Sequence, residues 1–432
     1  MFKSLFIATF LLSNNVFANT QEAIQEKAQF ICSQLTVNPS FKYEDYFSQG
    51  FIKKIKYDDL IQIFTDIAKD DGSCSKYSLA VVNGNKAKIR FYTKTTSQKF
   101  SLSLDQNNLI AGLQYQGRAE SKITFNSESD LYSGFGKISG IKSLSLIELD
   151  SNKETLGLNS SDSMALGSEF KLYILKNLSE KINSQQVHWD DKIKLQEDLK
   201  SLPSGVMQDY PSNQEFRIFD FAALMISQSD NTATDHLIDF LKRDSILNSM
   251  VGYNSFLDKN DPFLSTMDLF RLRTLTQDSL NEYIGLPQIE KNNFLDILKK
   301  KYDRNSLMES LKNWDSPRDI LKAEWFASTS DICNTVNALQ HNSVNDPKIL
   351  QILSINVPFI WTEDDPNFEY VGYKGGSEPG VLTMTFLFKT RNQKWGCLSM
   401  AINNEKENLD ENAVFDLYQA TLTYVGNLIN KK

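Results

Sequence analysis

The sequence is poor in the side chains that bind transition metals. No H-E-x-x-H or C-x-x-C string occurs, and the few histidines and cysteines are widely separated. They are His188, His236, His341, Cys32, Cys74, Cys333 and Cys397. Because a zinc site needs several such ligands at short spacing, the sequence predicts no metal, and nothing in it indicates another cofactor.

Positive charge is also in short supply. Lysine and arginine number 46 against 54 aspartate and glutamate residues, which gives a formal net charge of -8. No basic stretch is interleaved with aromatic residues. This charge argues against nucleic acid or an anionic membrane surface as the main partner. A small-molecule substrate is the expected partner, with no obligate protein partner.

Long apolar runs are absent, except at the start of the chain. Lys3 precedes an apolar stretch, Leu5 to Leu12, and the small-residue pattern Val16-Phe17-Ala18 follows it. This order is typical of a secretory signal peptide over residues 1–18, and the run is too short to span a bilayer comfortably. We expect a secreted or periplasmic protein without a stable membrane span after cleavage; an uncleaved anchor is the alternative.

Export would place the four cysteines in an oxidising compartment, where disulfides are permitted. Cys32 and Cys74 fall in one region of the chain, and Cys333 and Cys397 in another. Either pair could be bonded, but buried free thiols are an equal alternative for the second pair.

The length of 432 residues exceeds what one hydrophobic core usually fills, so two domains are expected. Apolar spacing predicts helices over residues 21–35 and 57–69, and alternation predicts strands such as 88–92 and 100–104. Helices followed by an antiparallel meander indicate a small α+β domain over residues 19–120. Polar residues at 118–130 are expected to form a linker.

The second domain is expected over residues 128–432. Apolar strands are predicted at 144–149, 382–388 and 395–402, and a helix at about 411–429. Several helical stretches lie between the first of these strands and the others. The pattern favours an α/β sandwich whose sheet is assembled from remote parts of the chain.

A serine and a lysine three residues apart begin one helical stretch, in Ser168-Glu169-Phe170-Lys171. Residues i and i+3 share a helix face, so the lysine amine can reach the serine hydroxyl and act as its base when its pKa is lowered. A plain helix cap is the alternative role for Ser168. Ser73 and Lys76 have the same spacing, but they lie where a β-meander begins, and we interpret them as a chance match.

Two further strings follow in order. Ser229-Asp230-Asn231 comes after an apolar helical run, and Lys374-Gly375-Gly376-Ser377 lies on a predicted strand. Seen singly, the first string is more often a helix cap or turn, and the second an edge strand or bulge. Two glycines beside a lysine also allow a ligand or another backbone to approach closely.

Together the three strings match the ordered set S-x-x-K, S-D-N and K-T-G. Residues 130–432 therefore resemble the class A β-lactamases, with glycine in place of the threonine of K-T-G. Ser229 follows Ser168 by 61 residues, close to the family's spacing. The resemblance implies a three-layer α/β (α+β) sandwich with an antiparallel sheet and a helical subdomain.

The resemblance also implies roles for individual residues. Ser168 would attack a carbonyl group to form an acyl-enzyme, and Lys171 would be its general base or help to place the proton. Ser229 would relay a proton to the leaving group, and Lys374 would tune that transfer and attract a substrate carboxylate. The substrate-binding residues would be Asn231, Gly376 and Ser377. Asn231 would contact the substrate with its side-chain amide, and Gly376 and Ser377 with their strand backbone. The backbone N–H groups of Ser377 and Ser168 would form the oxyanion hole.

Two departures from the family are visible. No E-x-x-L-N string, the family's source of a deacylating glutamate, is found, and the nearest string, Glu290-Lys291-Asn292-Asn293, is a poor match. Lys374 follows Ser229 by 145 residues, which exceeds the usual spacing. The excess lies around Pro262–Trp325, after which Ser328–Ile332 again resembles a family helix start. Either another group activates water, or the acyl-enzyme is long-lived.

The N-terminal block resembles the steroid-isomerase-like or cystatin-like domain that precedes this fold in a subfamily of serine hydrolases, some of them esterases. That resemblance rests on the order of elements, because the block has no acid/base pair that would indicate chemistry.

The expected function is that of an acyl-enzyme-forming serine hydrolase, with β-lactams as the first substrate class and antibiotic resistance as its consequence. Alternatives are a carboxylesterase or D-Ala-D-Ala-type peptidase of the same fold, a penicillin-binding sensor acylated without turnover, and a noncatalytic cell-envelope protein. A Ser-His-Asp triad is disfavoured because no G-x-S-x-G string is present, and His236 is expected to be structural.

Overall fold

The computed structural model describes residues 18–119, 121–360, 362 and 365–430. The chain divides into two compact units, one of Met1–Lys122 with Pro358–Ile360 and one of Ile123–Val357 with Trp361–Lys432. The short return of the chain to the first unit at 358–360 is not expected from the sequence. The predicted signal peptide lies outside the described residues apart from Ala18. Within the described ranges, no helix has the length and apolarity needed to cross a membrane.

In the first unit, helices precede an antiparallel sheet with the strand order β1-β2-β3-β4. The elements are α1 (Ala18–Gln34), α2 (Tyr43–Tyr46), α3 (Gln49–Ile52), α4 (Tyr57–Asp71), β1 (Lys76–Asn83), β2 (Lys86–Tyr92), β3 (Ser97–Leu104) and β4 (Ile110–Arg118). Helix α4 buries Leu60, Phe64 and Ile67, which recur at helical spacing and face the sheet-side core. The structure therefore has the helix-then-meander order that the sequence predicts for this region.

The second unit contains a five-stranded antiparallel sheet and two short strand pairs. Its strands are β5 (Ile141–Glu148), β6 (Lys153–Leu158), β7 (Met164–Ala165), β8 (Lys192–Lys194), β9 (Glu215–Arg217), β10 (Phe326–Ala327), β11 (Phe368–Glu378), β12 (Val381–Thr390) and β13 (Trp395–Asn403). The large sheet has the order β11-β12-β13-β5-β6, so its first and last strands in sequence meet at its centre.

The described part of the second unit contains twelve α-helices. They are α5 (Glu128–Gly136), α6 (Lys171–Asn183), α7 (Ile218–Ser227), α8 (Asn231–Leu241), α9 (Arg243–Met250), α10 (Thr266–Arg273), α11 (Gln277–Gly285), α12 (Gln288–Lys301), α13 (Arg304–Ser310), α14 (Thr329–Asn342), α15 (Lys348–Ser354) and α16 (Glu411–Asn430). Of these, α14, α15 and α16 pack directly on the large sheet. The region of excess length, Pro262–Trp325, folds largely into α10 to α13, which extend the helical part of the unit.

The two faces of the large sheet carry different helices. Ser143 on β5 contacts Thr329 of α14 at 2.7 Å, and Cys397 on β13 is bonded to Cys333 of the same helix. Because side chains alternate along a strand, the intervening residues point to the other face, against which α16 packs. The resulting helix–sheet–helix order confirms the predicted three-layer sandwich with an antiparallel sheet and a helical subdomain.

The start of α14 illustrates how local sequence determines an element. Ser328 caps the helix by accepting a hydrogen bond from the backbone N–H of Asp331 at 3.0 Å, and the Asp331 carboxylate accepts one in return from the N–H of Ser328. This reciprocal capping box satisfies two donors that the helix itself leaves unpaired. The helix start that the sequence indicates at Ser328–Ile332 is thus present.

Both cysteine pairs are disulfides, which settles the question that the sequence leaves open. Cys32 is bonded to Cys74 in the first unit, and Cys333 is bonded to Cys397 in the second. The second disulfide joins α14 to the central strand β13 and closes a loop across a separation of 64 residues. A cross-link of this span removes much conformational freedom from the unfolded chain.

Replacing Cys333 and Cys397 together with alanine should lower the free energy of unfolding of the second unit by about 4 kcal/mol, because the unfolded chain regains the freedom of that loop. The four tryptophans that the structure describes, Trp189, Trp314, Trp325 and Trp395, all lie in this unit, so urea denaturation followed by tryptophan fluorescence reports on it. The Cys333→Ala single variant is the control, since its released Cys397 thiol must react with a thiol reagent after unfolding. An unchanged urea midpoint in the double variant would contradict the prediction.

Candidate active site

Ser168 lies on a tight turn that leads into a buried helix. Gly167 has a φ of +50°, in the left-handed region that favours glycine, and a 3-10 turn over Gly167–Phe170 continues into α6. The Phe170 ring stacks on Trp325 with the centroids 3.6 Å apart, which anchors the turn against the core. The half-buried Ser168 hydroxyl therefore stands at the start of a helix that is itself almost wholly buried.

The Lys171 amine is the centre of a hydrogen-bonded cluster. Its Nζ lies 3.0 Å from the Oγ of Ser168, 2.7 Å from the carbonyl oxygen and 3.0 Å from the Oγ of Ser229, and 2.8 Å from the Oδ1 of Asn231. The side chain is completely buried. A helical i,i+3 contact thus joins the two predicted residues of the S-x-x-K string, and the S-D-N string completes the surroundings of the amine.

Burial and neighbouring charges both shift the pKa of the Lys171 amine. Removal from water holds the pKa of its amine well below the usual value, and the nearby Lys374 ammonium lowers this pKa further, against the opposing charges of Asp230 and Asp235. A neutral amine has two N–H donors for the two carbonyl oxygens of the cluster, which can only accept. Its lone pair is then left for a hydroxyl group, which is the arrangement that a general base for Ser168 requires.

The S-D-N string is held by a break between two helices. Helix α7 ends before Ser229, whose φ is +54°, and the Asp230 carboxylate caps α8 by accepting from the N–H of Ala233 at 2.8 Å. The same carboxylate accepts from the N–H groups of Val206 and Met207 at 2.6 and 2.8 Å. This capped turn directs the carbonyl and hydroxyl groups of Ser229 at Lys171.

A loop before α7 completes the support of this turn. The Ser204 hydroxyl donates to the Ser229 carbonyl at 2.7 Å, and the Asn231 amide nitrogen donates to the Leu202 carbonyl at 3.1 Å. The second bond orients the Asn231 amide with its oxygen toward Lys171. Sequence analysis missed this loop, because no motif connects residues 202–207 to the S-D-N string.

Strand β11 brings the third string to the cluster. The buried Lys374 amine donates to the Ser229 hydroxyl at 3.2 Å and to the carbonyl of Gly375. Burial lowers the pKa of Lys374 to about 7, against the opposing effect of the Glu169 charge. Lys374 and Lys171 therefore approach the same hydroxyl, that of Ser229, from two sides.

Gly376 of β11 lies against the turn that carries Ser168. A methyl group at Gly376 would lie 2.1 Å from the carbonyl oxygen of Leu166 and 2.7 Å from the nitrogen of Ser168. One at Gly167 would lie 3.1 Å from the nitrogen of Ser377. Only glycine allows this approach of two backbones, which places the N–H groups of Ser168 and Ser377 in one neighbourhood, as an oxyanion-binding pair needs.

The predicted residues thus fall into two groups in the structure. Side-chain hydrogen bonds join those of the first group, and backbone atoms bring those of the second group to the Ser168 turn. The first group is Ser168, Lys171, Ser229, Asn231 and Lys374; the second is Gly376 and Ser377. The side chain of Ser377 itself is exposed.

Glycine in place of the family's threonine has a packing explanation. A methyl group at Gly375 would lie 2.1 Å from the hydroxyl oxygen of Tyr373, two residues earlier on the same face of β11. The tyrosine hydroxyl occupies the space that a side chain at position 375 would need.

The inserted helices are tied to the same strand. The buried Arg273 at the end of α10 donates to the carboxylates of Glu324 and Glu378 at 2.9 and 2.8 Å, and to the carbonyl of Ala323 at 2.7 Å. Glu378 directly follows Ser377, so this ion cluster holds the end of β11 next to the site. Burial and the neighbouring Glu378 charge raise the pKa of Glu324 well above its usual value.

Other residues singled out in the sequence lie away from this cluster. The buried His236 ring accepts from the N–H of Gln196 at 2.9 Å and pairs with the carbonyl of Thr232 at 2.7 Å, which is a structural arrangement. Glu290 is exposed in the first turn of α12. In the second S-x-x-K string, Ser73 is exposed, and the Lys76 ammonium lies over the Tyr92 ring, 4.8 Å from its centroid. Among the described residues, no group of acidic, histidine or cysteine side chains could hold a metal ion.

The fold of the second unit is that of the serine β-lactamase-like class. Residues 135–323 match the model of a family described as the beta-lactamase enzyme family. The match includes Ser168, Lys171, Ser229 and Asn231, and it ends before β11. The match over this segment supports the serine β-lactamase-like superfamily and an enzyme of the serine hydrolase type.

Several solved structures are similar to the chain at low identity. A β-lactamase from Sphaerobacter thermophilus DSM 20745 is 17% identical, with 68% of this chain and 93% of that chain covered and a TM-score of 0.47. The protein PBP-A is 13% identical, with 72% and 99% covered and a TM-score of 0.47. The TLA-1 extended-spectrum β-lactamase is 12% identical, with 69% and 97% covered and a TM-score of 0.47. A comparison with curated protein sequences gives no match.

Replacing Gly376 with alanine should lower the rate of acylation at Ser168 by about 10²-fold or more, because the added methyl group forces β11 away from the N–H donor of the turn. Gly375→Ala is the matched control, since its methyl group clashes mainly with the movable end of the Tyr373 side chain and comes no closer than 3.0 Å to backbone, at the carbonyl oxygen of Thr383. The rates are measured by stopped-flow with an acylating fluorescent penicillin. Equal rates in the two variants would show that the close approach at Gly376 is unimportant.

Proposed function

We propose that the protein is a serine hydrolase that forms an acyl-enzyme at Ser168, with β-lactams as its leading substrate class. The observation that carries the proposal is the buried Lys171 amine, 3.0 Å from the Ser168 hydroxyl, with a pKa held well below the usual lysine value. A serine hydroxyl needs such a base to become a nucleophile. The family match over residues 135–323 gives independent support.

In the proposed reaction, the Ser168 oxygen attacks the substrate carbonyl and its proton passes to Lys171. The N–H groups of Ser168 and Ser377 bind the oxyanion that develops. Ser229 then delivers a proton to the leaving nitrogen or oxygen. Both amines contact the Ser229 hydroxyl, Lys171 at 3.0 Å and Lys374 at 3.2 Å, so this hydroxyl has a proton source on either side. In its cationic form, Lys374 also attracts a substrate carboxylate, and Asn231 contacts a substrate amide.

Hydrolysis of the acyl-enzyme is the less supported half of the cycle. No E-x-x-L-N string occurs, and Glu290 of the nearest string is exposed on α12. This observation favours a second candidate function, a penicillin-binding or sensor protein that is acylated once and stays modified. A carboxylesterase or D-Ala-D-Ala-type peptidase would use the same cluster on a different acyl group.

We further propose that the protein acts in an oxidising compartment, secreted or periplasmic, and that it confers antibiotic resistance when β-lactams are its substrates. The signal-peptide pattern at residues 1–18 and two disulfides in one chain support the location. Fractionation of cells that express the full chain, with mass determination of the mature N-terminus, tests it.

The purified protein should react with a chromogenic cephalosporin and a fluorescent penicillin, and Ser168→Ala should abolish both reactions because the nucleophilic oxygen is lost. Ser73→Ala is the matched control, a serine of the same motif spacing in the other unit. Steady turnover would identify a β-lactamase. Stoichiometric labelling without turnover would favour the sensor, or an ester as the natural substrate. If lactams and simple esters leave Ser168 unmodified, the proposal is wrong.

The acylation rate should rise with pH as Lys171 loses its proton, and it should reach its plateau well below the usual pKa of lysine. Lys171→Ala should lower the rate by about 10²–10⁴-fold, the usual contribution of a general base, and should remove this acid limb. Lys181→Ala, which changes a lysine of α6 outside the cluster, is the control. An acid limb that persists in Lys171→Ala would assign the base to another group.

A further inference from the structure

Asp235, on the helix that follows the S-D-N string, is a buried carboxylate that the mechanism above does not use. It lies on α8, four residues after Asn231, and is 4% exposed. Residues i and i+4 of a helix lie one above the other on the same face. Asp235 therefore shares a face of α8 with the residue whose amide oxygen lies 2.8 Å from the Lys171 amine.

The Asp235 carboxylate binds the start of another helix. Its Oδ1 accepts from the backbone N–H of Thr266 at 2.7 Å, and its Oδ2 accepts from that of Met267 at 3.1 Å. These are the first two residues of α10, and the first N–H groups of a helix have no acceptor within it. Ser265, the N-cap of α10, accepts from the third, that of Asp268. A side chain of α8 thus completes the capping of α10.

Further hydrogen bonds join the inserted helices to the same turn of α8. The Thr266 hydroxyl lies 2.6 Å from the hydroxyl of Ser201 and 3.5 Å from the carbonyl oxygen of Asn231. The N–H of Ser201 donates to the Thr232 hydroxyl at 2.9 Å, and Arg304 of α13 donates to the Ser201 carbonyl at 3.1 Å. All of these contacts except that of Arg304 lie in the buried interior. Helices α10 and α13 therefore meet α8 where Asn231 lies.

The charge of Asp235 strengthens its bonds to α10. Burial raises the pKa of Asp235 to about 6, against the opposing effect of the two N–H groups, so the carboxylate is ionised above that pH. An ionised acceptor forms stronger hydrogen bonds than a neutral one, and negative charge is favourable at a helix N-terminus. The neighbouring acid on α10, Asp268, forms ion pairs of its own. Its partners are Arg243 and Arg271.

We propose that Asp235 is a positioning residue for Asn231. By binding the start of α10, it fixes the first turn of α8 and so holds the Asn231 oxygen at the Lys171 amine. Its own bonds are to the backbone of α10, so it acts through Asn231 and not on the substrate. The inserted helices are then part of the support of the site. The inference rests on the proposed function for its effect on acylation, but the bracing of α8 does not.

The first test is single-turnover acylation by a fluorescent penicillin, measured at least one pH unit above the pKa of Asp235. Asp235→Ala should lower the rate constant at saturating probe by about tenfold, because the Asn231 oxygen no longer holds the Lys171 amine in place. Asp235→Asn keeps one acceptor oxygen and should recover most of this loss. Asp239→Asn, the same change one turn later at an exposed position of α8, is the matched control and should have no effect.

The rate constant and the labelled fraction separate positioning from folding. A merely structural role would lower the fraction of molecules labelled at Ser168, and the labelled molecules would react at the unaltered rate. A positioning role lowers the rate constant of the molecules that react. An unaltered rate constant in Asp235→Ala would overturn the role in the reaction. If that variant does not fold, Asp235→Asn carries the test, and its rate constant must fall below that of Asp239→Asn.

The second test needs no substrate. Hydrogen–deuterium exchange of the full chain, read on peptides by mass spectrometry, reports on the backbone N–H groups themselves. In Asp235→Asn, the start of α10 should exchange about tenfold faster because the Met267 N–H loses its acceptor, and residues 229–235 should exchange faster with it. Asp239→Asn should change neither peptide.

Faster exchange at α10 without any change at residues 229–235 would show that the contact does not hold the S-D-N turn, and the inference would be wrong. Unchanged exchange in both peptides would also contradict it. If no probe acylates Ser168 in the unaltered protein but both peptides respond as expected, the bracing of α8 stands and only the proposed function has failed.

Discussion

The burial of the Lys171 amine is the constraint on which the site depends. An ammonium group without water is unfavourable by several kcal/mol. In the structure, carbonyl oxygens that can only accept surround the Lys171 amine, and burial holds its pKa well below the usual lysine value. The acceptors come from the far side of a helix break, so α6, the capped turn before α8 and the loop at 202–207 must all be in place together. The site is therefore a property of the folded helical region and not of one motif.

Helices, and contacts between residues close together in the sequence, could be predicted from the sequence. Helix α4 was expected over 57–69 and spans Tyr57–Asp71, and the Ser168–Lys171 contact follows from helical spacing alone. The three-layer fold and the meeting of Ser229 and Lys374 could not be derived locally; the ordered motifs and their family resemblance indicated them. The features that the sequence did not reveal depend on tertiary packing. Ser204 supports Ser229 from a loop without a motif, and Glu169 is an unassigned position of S-x-x-K whose burial only the sheet reveals.

The departures from the family lie where the structure compensates for them. The missing threonine at Gly375 is matched by the Tyr373 hydroxyl, which occupies the vacated space. The extra residues after Pro262 form packed helices, and Arg273 ties them to the end of β11 through two glutamates. An ion cluster of this kind, once assembled, is strongly destabilised by the loss of one member, because a buried charge is then left unpaired. The insertion is therefore integrated into the site's framework.

The order of strands in the sheet determines when the site can form during synthesis and folding of the chain. The Ser168 turn is made early, but the strand that must lie against it, β11, follows about 200 residues later, and β13 must be present before β5 and β12 can be joined. At a synthesis rate of about 5–20 residues per second, that interval is roughly 10–40 seconds. During this time the nascent chain already contains Ser168 and Lys171. It does not yet contain Gly376 and Lys374, which β11 contributes to the site. The proposed site is thus incomplete until the sheet closes.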